Sequence, residues 1–178
     1  MPESPAFETE RLLFRPPAPE DAPAIFERYA SDAEVTRYLG WPRHASVEET
    51  RAFVGFSLSE WARWGVGPLL VFDRNSGTLL GTSGLVMESR ERAATGYVFA
   101  RDSWGKGYAT ESLRAMIALA AEFEVTRLYA LCHVDHRASW RVLEKCGFRR
   151  EGVLPRHLIF PNLSSEPLDV LSYARSPV

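Results

Sequence analysis

Two glycines stand directly before a patterned helix in the segment Trp104-Gly105-Lys106-Gly107-Tyr108-Ala109-Thr110-Glu111-Ser112. Small or apolar residues then recur at the spacing of one buried helical face, at Ala109, Leu113, Met116, Ile117 and Ala120. The preceding segment 95–100 is rich in β-branched and aromatic residues and indicates a strand. The first amides of a helix lack backbone partners, and glycine lets a phosphate approach the chain closely. The segment therefore predicts a site for a phosphorylated cofactor.

The two best-known phosphate-binding patterns do not fit this segment. Lys106 lies between the glycines, whereas the ATP-binding pattern G-x-x-x-x-G-K-[ST] needs a lysine after the second glycine. Thr110 occupies the position where a dinucleotide G-x-G-x-x-G pattern needs its third glycine. The alternative interpretation is a helix-start turn with two incidental glycines, so a second feature has to support the first.

Periodicity along the chain predicts an α/β fold with a mixed sheet, in the element order β-α-α-β-β-β-α-β-α-β-β. The predicted strands lie at about 10–15, 68–73, 78–87, 93–100, 127–134, 148–154 and 168–173. Four helices are predicted. Two lie at about 19–30 and 47–64, the third begins directly after the glycine loop, and the fourth lies at 137–145. Ser46-x-x-Glu49 predicts a capping box for the helix 47–64, which Gly65 ends.

Two segments carry a resemblance to a known family. The segment His136-Arg137-Ala138-Ser139-Trp140-Arg141-Val142-Leu143-Glu144-Lys145-Cys146-Gly147-Phe148 resembles the N-x-x-S-x-x-x-[LE]-x-K-x-G-F signature of the GNAT superfamily of N-acetyltransferases. The glycine segment is most similar to the branch of ribosomal-protein N-terminal acetyltransferases. Trp104-x-x-Gly107-x-Ala109 falls where the family has its pyrophosphate loop, [QR]-x-x-G-x-[GA]. The start of the chain, 9–21, agrees as well, so the resemblance covers nearly the whole chain.

The resemblance implies a GNAT-like fold in which acetyl-CoA lies between two splayed central strands, 93–100 and 127–134. Backbone amides of residues 104–109 would hold the pyrophosphate, and the edge of the first strand would pair with the pantetheine amides. The residues implied in cofactor binding are Val98, Phe99, Ala100, Arg101, Trp104, Gly105, Lys106, Gly107, Tyr108, Ala109, Thr110, His136, Ser139 and Arg141.

The implied chemistry is the attack of an amine on a thioester, which needs a deprotonated amine, a donor for the oxyanion and a proton for the thiolate. The resemblance points to the Phe99 amide for the oxyanion and to Ser139 as the proton donor. Ser139 is equally interpretable as an ordinary first-turn residue of a helix. His136 replaces the family's asparagine and either donates to a CoA carbonyl or titrates near neutrality.

The glutamate that many relatives carry before the Gly-Tyr pair is missing, because the strand here begins Ala93-Ala94-Thr95-Gly96-Tyr97. An α-amine of pKa about 7.8 costs about 1 kcal/mol to deprotonate at pH 7, and a lysine about 4.6 kcal/mol. We therefore expect a weakly basic acceptor amine and a distant base that acts through water. The candidate bases are Glu88, His44 and His157, and the same three residues are candidates for binding the acceptor. Trp41 is interpreted either as a wall of the acceptor site or as an anchor for its loop.

Composition limits the class of protein. The 178 residues fit one domain, 1–178, and 46% hydrophobic with 25% charged residues is ordinary for a globular protein. A net charge of −2 does not favour a nucleic-acid partner, and no apolar run is long enough for a membrane span. The two cysteines, Cys132 and Cys146, predict no disulfide framework and favour a cytoplasmic location. Cys132-His133-x-Asp135-His136 matches no standard metal pattern, so no metal is expected.

The sequence therefore predicts an acetyl-CoA-dependent N-acetyltransferase without a metal. Its acceptor would be a protein N-terminus or a small amine such as an amino acid, polyamine or drug. Two alternatives stay open, an enzyme that uses a longer acyl-CoA and a catalytically silent acyl-CoA-binding module. The resemblance also allows a homodimer, as is common among similar proteins.

Overall fold

A computed structural model describes residues 7–177. Its strands are β1 (Phe7–Glu8), β2 (Leu12–Arg15), β3 (Pro68–Asp73), β4 (Leu79–Met87), β5 (Arg92–Phe99), β6 (Arg127–His133), β7 (Arg149–Ile159) and β8 (Pro167–Arg175). Its α-helices are α1 (Ala22–Ile25), α2 (Ala33–Thr36), α3 (Val47–Trp64), α4 (Tyr108–Glu122) and α5 (Arg137–Lys145).

The eight strands form one mixed sheet in the order β1-β2-β3-β4-β5-β6-β8-β7. Only β5 and β6 run parallel among the described strands, and α4 makes the crossover between them. All other neighbours are antiparallel. The predicted α/β class and the predicted element order are confirmed, with β1 and α2 as short additions.

Apolar side chains pack against both faces of the sheet. Helices α4 and α5 cover one face, where Leu85, Leu113 and Leu128 are fully buried. Helices α1 and α3 cover part of the other face, where Ile25 and Leu70 are fully buried. Because strand side chains alternate between faces, each central strand contributes to both cores. The middle of the sheet is therefore held between two layers of helices.

Two helices have the bounds that their end signals predict, namely α3 and α5. Gly65 ends α3 in the left-handed region with φ 71°, and its amide donates to the Trp61 carbonyl. The predicted capping box is wrong in detail. The Glu49 carboxylate accepts from the amide of Ala45 rather than from that of Ser46, and the Ser46 side chain makes no capping bond.

The first helical segment is not the continuous helix predicted for 19–30. A 3₁₀ turn over Pro19–Asp21 leads into α1, and a π-helical turn over Phe26–Ala30 follows. A wider π turn changes the direction of side chains that a regular helix would have kept on one stripe. Tyr29 becomes fully buried in this way, with its hydroxyl against that of Thr82.

The last hairpin is longer than the sequence predicts. β7 continues to Ile159, beyond the predicted end at 154, because an irregular backbone step lies within the strand and does not end it. The pairing with β8 shifts between Leu154 and Leu158, and Arg156 lies in the left-handed region with φ 46°.

Among residues 7–177, no helix has the length and the apolar character needed to cross a membrane.

A paired glycine substitution tests this packing. A methyl group on Gly81 would lie 2.1 Å from the Val98 carbonyl oxygen, whereas one on Gly55, within α3, would meet nothing within 4 Å. We expect Gly81→Ala to lower the free energy of unfolding by about 1–3 kcal/mol. Gly55→Ala should raise it by about 0.5–1 kcal/mol because alanine favours the helix. Urea denaturation followed by circular dichroism measures both, and equal effects would contradict the close β4–β5 contact.

Candidate active site

The two parallel strands separate after a short contact. β5 and β6 pair only at Arg92–Arg127, Ala93–Leu128 and Ala94–Tyr129. Beyond these pairs β5 stays with β4, and β6 stays with β8. A gap therefore opens between the C-terminal halves of two neighbouring strands, as the family resemblance implies for 93–100 and 127–134.

Backbone amides of β5 point into this gap. The amide of Ala100 donates to the Leu80 carbonyl at 2.8 Å, and the antiparallel ladder with β4 repeats every second residue. The amides of Val98 and Gly96 therefore face β4, and those of Tyr97 and Phe99 face the gap. An amide that faces a gap needs a partner from outside the sheet.

A cavity of about 590 Å³ runs through the gap from one face of the sheet to the other. Ser139 and Leu143 of α5 line it on one face, and Trp41 and His44 line it on the other. Gly84 and Gly96, which are directly opposite each other on β4 and β5, contribute wall without side chains. A cavity of this size, with a mainly apolar wall and few polar groups, is typical of a ligand site.

The glycine loop lies where β5 ends. Gly105 and Gly107 have φ values of 72° and 81°, a region that side-chain-bearing residues rarely adopt. Gly107 is the N-cap of α4 and has no side chain to offer to the first helical amides, those of residues 108–110. The loop therefore presents backbone donors and the positive end of the α4 dipole at one place, as an anion site requires.

An arginine in the turn between β1 and β2 holds the loop in this conformation. The Arg11 guanidinium donates to the Lys106 carbonyl at 2.8 Å and to the Glu111 carboxylate at 2.7 Å. Thr9 and the Arg11 amide donate to the same carboxylate. Burial opposes ionisation of Glu111, but the hydrogen bonds from Thr9 and Arg11 lower its pKa below its ordinary value. The charged form of Glu111 is thus part of the folded loop.

The cationic side chains predicted to bind phosphate are either paired with a carboxylate or exposed to solvent. Arg101 is 2.6 Å from the carboxylate of Asp32, an ion pair that engages its guanidinium. Arg141 is exposed on α5, close to the ring of Trp140, and Lys106 is exposed in the loop. Trp104 donates from its indole to the Phe99 carbonyl at 2.8 Å. The loop itself, more than these side chains, has the geometry of an anion site.

Ser139 is the third residue of α5, and His136 is the N-cap of that helix. Ser139 lies beside the gap, where the Tyr97 hydroxyl donates to its carbonyl at 2.8 Å and lies 3.3 Å from its hydroxyl oxygen. Burial raises the pKa of Tyr97, so the phenol stays protonated. The Ser139 side chain therefore has a defined neighbour at the wall of the cavity.

His136 is neutral at neutral pH. Burial and the neighbouring His133 lower the pKa of His136 to about 4, so the expectation that it titrates near neutrality is wrong. Its ring stacks on that of Tyr38 at 4.8 Å, and the ring of His133 also stacks on Tyr38, at 5.1 Å. A neutral imidazole can still donate one hydrogen bond into the cavity.

His44 and Trp41 lie on the opposite side of the gap from Ser139. The Nδ1 atom of His44 is 2.8 Å from the Thr50 hydroxyl, and burial lowers the pKa of His44 although Glu49 acts in the other direction. Asn162 holds the loop by accepting from the Arg43 amide and donating to the Trp41 carbonyl. Trp41 is thus fixed in place and also lines the cavity.

The other two candidate bases lie outside the cavity. Glu88 follows β4 at the closed end of the gap, where it forms an ion pair with Arg92 at 2.5 Å and a hydrogen bond with Tyr129. His157 is exposed on β7. These positions do not support the role of general base or of acceptor binding for either residue. The alternation of β6 sends Cys132 and His133 to opposite faces of the sheet.

The cavity also contains residues that the sequence did not single out. They are Tyr38, Glu49, Phe53, Phe56 and Tyr97. Glu49 was interpreted only as a capping residue, and Phe53 and Phe56 received no interpretation beyond their place in the helix 47–64. A local signal exists for Tyr97 alone, since it follows directly the glycine that lines the gap.

Comparisons with known proteins agree with this geometry. Residues 11–149 match the family described as acetyltransferase (GNAT) domain. The chain is 31% identical to the uncharacterized N-acetyltransferase YoaA of Bacillus subtilis, over 86% of this chain and 88% of that protein. It is also similar to the crystal structure of a GNAT-family acetyltransferase from Bacillus anthracis, with a TM-score of 0.84 and 28% identity over 97% and 99% of the two chains.

A third similarity is to RimL, an α-N-protein acetyltransferase of ribosomal L7/L12. Its apo structure has a TM-score of 0.85 and 25% identity, over 97% of this chain and 94% of that chain.

The clamp on the glycine loop predicts a pH dependence. Because the folded pKa of Glu111 lies below its ordinary value of 4.5, its stabilisation is present above that pH and is lost as the pH falls through the folded pKa. Glu111→Gln should therefore lower the free energy of unfolding by about 1–3 kcal/mol at pH 7 and by less at acid pH. Urea denaturation between pH 3 and 8 measures the difference. If the difference in unfolding free energy between wild type and Glu111→Gln stayed constant down to pH 3, the contacts of Glu111 would not hold the loop. Glu122→Gln, outside the loop, is the control.

Proposed function

The chain belongs to the GNAT acetyltransferase family and is an acetyl-CoA-dependent N-acetyltransferase, and from this premise we propose that it acetylates a primary amine by direct attack on the thioester. One observation carries the proposal. The cavity between β5 and β6 has the Ser139 side of α5 on one face of the sheet and His44 on the other. A thioester in the gap would thus have a proton donor near its sulfur and a base near the acceptor.

The glycine loop at the start of α4 and the gap-facing amides of β5 support a role for this chain's backbone in binding acetyl-CoA. The amides of residues 108–110 would hold the pyrophosphate, and the gap-facing amides of β5 would pair with the pantetheine arm. Hydrogen bonds to a charged group contribute about 1.5–3 kcal/mol each, so a few of them suffice for micromolar affinity. His136, neutral at the N-terminus of α5, would donate to a carbonyl of the arm.

The chemistry assigns one role to each polar group. The Phe99 amide would stabilise the negative charge on the carbonyl oxygen while the C–N bond forms. The Ser139 hydroxyl would give its proton to the sulfur as the C–S bond breaks, and Tyr97 keeps Ser139 at the wall of the gap. His44 would accept a proton from the amine through a water molecule, because its lowered pKa keeps it neutral.

The acceptor is a primary amine, either a small molecule or the N-terminus of a protein. RimL, whose structure is similar, acts on a protein α-amine. No carboxylate lies on β5 to deprotonate a strongly basic amine, which favours an acceptor of low pKa. We also propose a cytoplasmic location, because both cysteines are free and buried.

Ser139 gives the first test of this assignment. We expect Ser139→Ala to lower kcat by about 10²-fold, because the thiolate loses its proton donor, and to change the KM for acetyl-CoA by less than about threefold. Release of CoA measured with a thiol reagent gives both constants. Ser89→Ala, at the closed end of the gap, is the matched control. Unchanged kcat in Ser139→Ala would remove this residue from the mechanism without affecting the fold.

His44 gives a second test, through the pH profile. Since His44 must be neutral to accept a proton and its pKa lies below 6.5, kcat of the wild type should fall only below that pH. His44→Ala should lower kcat by about 10²-fold and abolish this acidic limb. Arg43→Ala, at the neighbouring exposed position, should keep the wild-type profile. An acidic limb that persists in His44→Ala would assign the base to another group.

A further inference from the structure

The part of the cavity on the α1 and α3 face has a consistent chemical character. We call it the acceptor pocket, and its characteristic side chains are Tyr38, Trp41, His44, Glu49, Phe53 and Phe56. Resting on the proposed function, we propose that this pocket takes a small monoamine with an apolar, ring-sized body and no free carboxylate. Shape, exposed apolar surface and charge each contribute to this inference.

The pocket exposes apolar surface that nothing in the described chain covers. Phe56 is 48% exposed and Val86 is 38% exposed, although both line the cavity. Phe53 and Trp41 are partly buried beside them. Large apolar side chains that face a concave wall mark a place where a ligand removes water. An apolar ring or branched chain would bury this surface, and a polar acceptor would not.

Charge restricts the acceptor further. Among the described residues that line the cavity, Glu49 alone carries a carboxylate, and burial lowers the pKa values of His44 and His136. No lysine or arginine of residues 7–177 lines the cavity, so the carboxylate of an amino acid or the phosphate of a nucleotide would lose its hydration without gaining a cationic partner. One carboxylate likewise balances one ammonium group and leaves the further charges of a polyamine unpaired.

Size limits the body of the acceptor. The cavity of about 590 Å³ extends across the gap, so the thioester end of acetyl-CoA must share it with the acceptor. The glycine pair Gly84 and Gly96 lines the pocket on the side of the sheet, and the loop that Asn162 holds lines it with Trp41 and His44. A single ring on a short amine fits this arrangement, and its amine nitrogen would then point to the gap, near His44.

Binding to the CoA-loaded protein tests the inference without requiring turnover. Isothermal titration calorimetry would compare phenylalaninamide with phenylalanine, spermidine and an alanine-initiated hexapeptide. We expect phenylalaninamide to bind at least about tenfold more tightly than each of the other three, because it alone combines a ring, one positive charge and no carboxylate. Equal or tighter binding of phenylalanine, spermidine or the hexapeptide would overturn the proposal.

Matched substitutions on α3 locate the binding site. Phe56→Ala should weaken phenylalaninamide binding by about tenfold or more, whereas Leu58→Ala, exposed on the same helix but outside the cavity, should leave it unchanged. Glu49→Gln should weaken the binding of this monocation, and Glu48→Gln, whose carboxylate pairs with Arg51, should not. No effect of either pocket substitution would exclude this pocket as the acceptor site.

Acetylation assays with the same amines separate this inference from the proposed function. If phenylalaninamide binds as expected but none of the amines is acetylated, the proposed function fails and the binding preference stands. If spermidine or the hexapeptide is acetylated with the highest kcat/KM, the proposed function stands and the inference about the acceptor fails.

Discussion

The site depends on one constraint of hydrogen bonding between strands. β6 pairs with β8 over most of its length, and β5 pairs with β4, so the two parallel neighbours contact each other at only three residue pairs. The amides of Tyr97 and Phe99 consequently have no strand to donate to. An unsatisfied amide costs about 1–3 kcal/mol when it is buried. A ligand with its own amides, such as the arm of CoA, would complete the ladder that the sheet leaves open.

Most charged groups near this opening lie at its rim, and Glu49 is the one carboxylate among the described residues that line the cavity. Ion pairs hold the segments that frame the gap, namely Arg11 with Glu111, Arg101 with Asp32 and Arg28 with Asp102. Inside the cavity, burial keeps Tyr97 and Cys132 protonated, and His136 neutral. The rim therefore fixes the loop geometry by electrostatics, while the part of the passage between the strands presents neutral donors. This division suits a reaction in which an uncharged amine meets an uncharged thioester.

The sequence predicts those elements whose ends carry their own signals. Val47–Trp64 and Arg137–Lys145 have the predicted bounds, because a glycine follows each of these helices closely. The glycine loop and Ser139 were found through a local pattern that a family resemblance made specific. The π turn at Phe26–Ala30 has no such pattern, and it accompanies the burial of Tyr29, which depends on the tertiary structure. Glu49 and Phe56 could not be assigned to a pocket, because only the tertiary structure brings α3 to the gap.

The directly opposed glycines on β4 and β5 differ in what surrounds them. A methyl group on Gly84 would lie 2.6 Å from the Pro68 backbone, whereas one on Gly96 would meet no atom within 4 Å. A side chain at Gly84 would thus collide with the neighbouring backbone, whereas Gly96 has room for one. A single mutation at residue 96 could narrow the passage while the sheet remains intact. Evolution of a new acceptor preference could therefore begin at this position without an initial loss of stability.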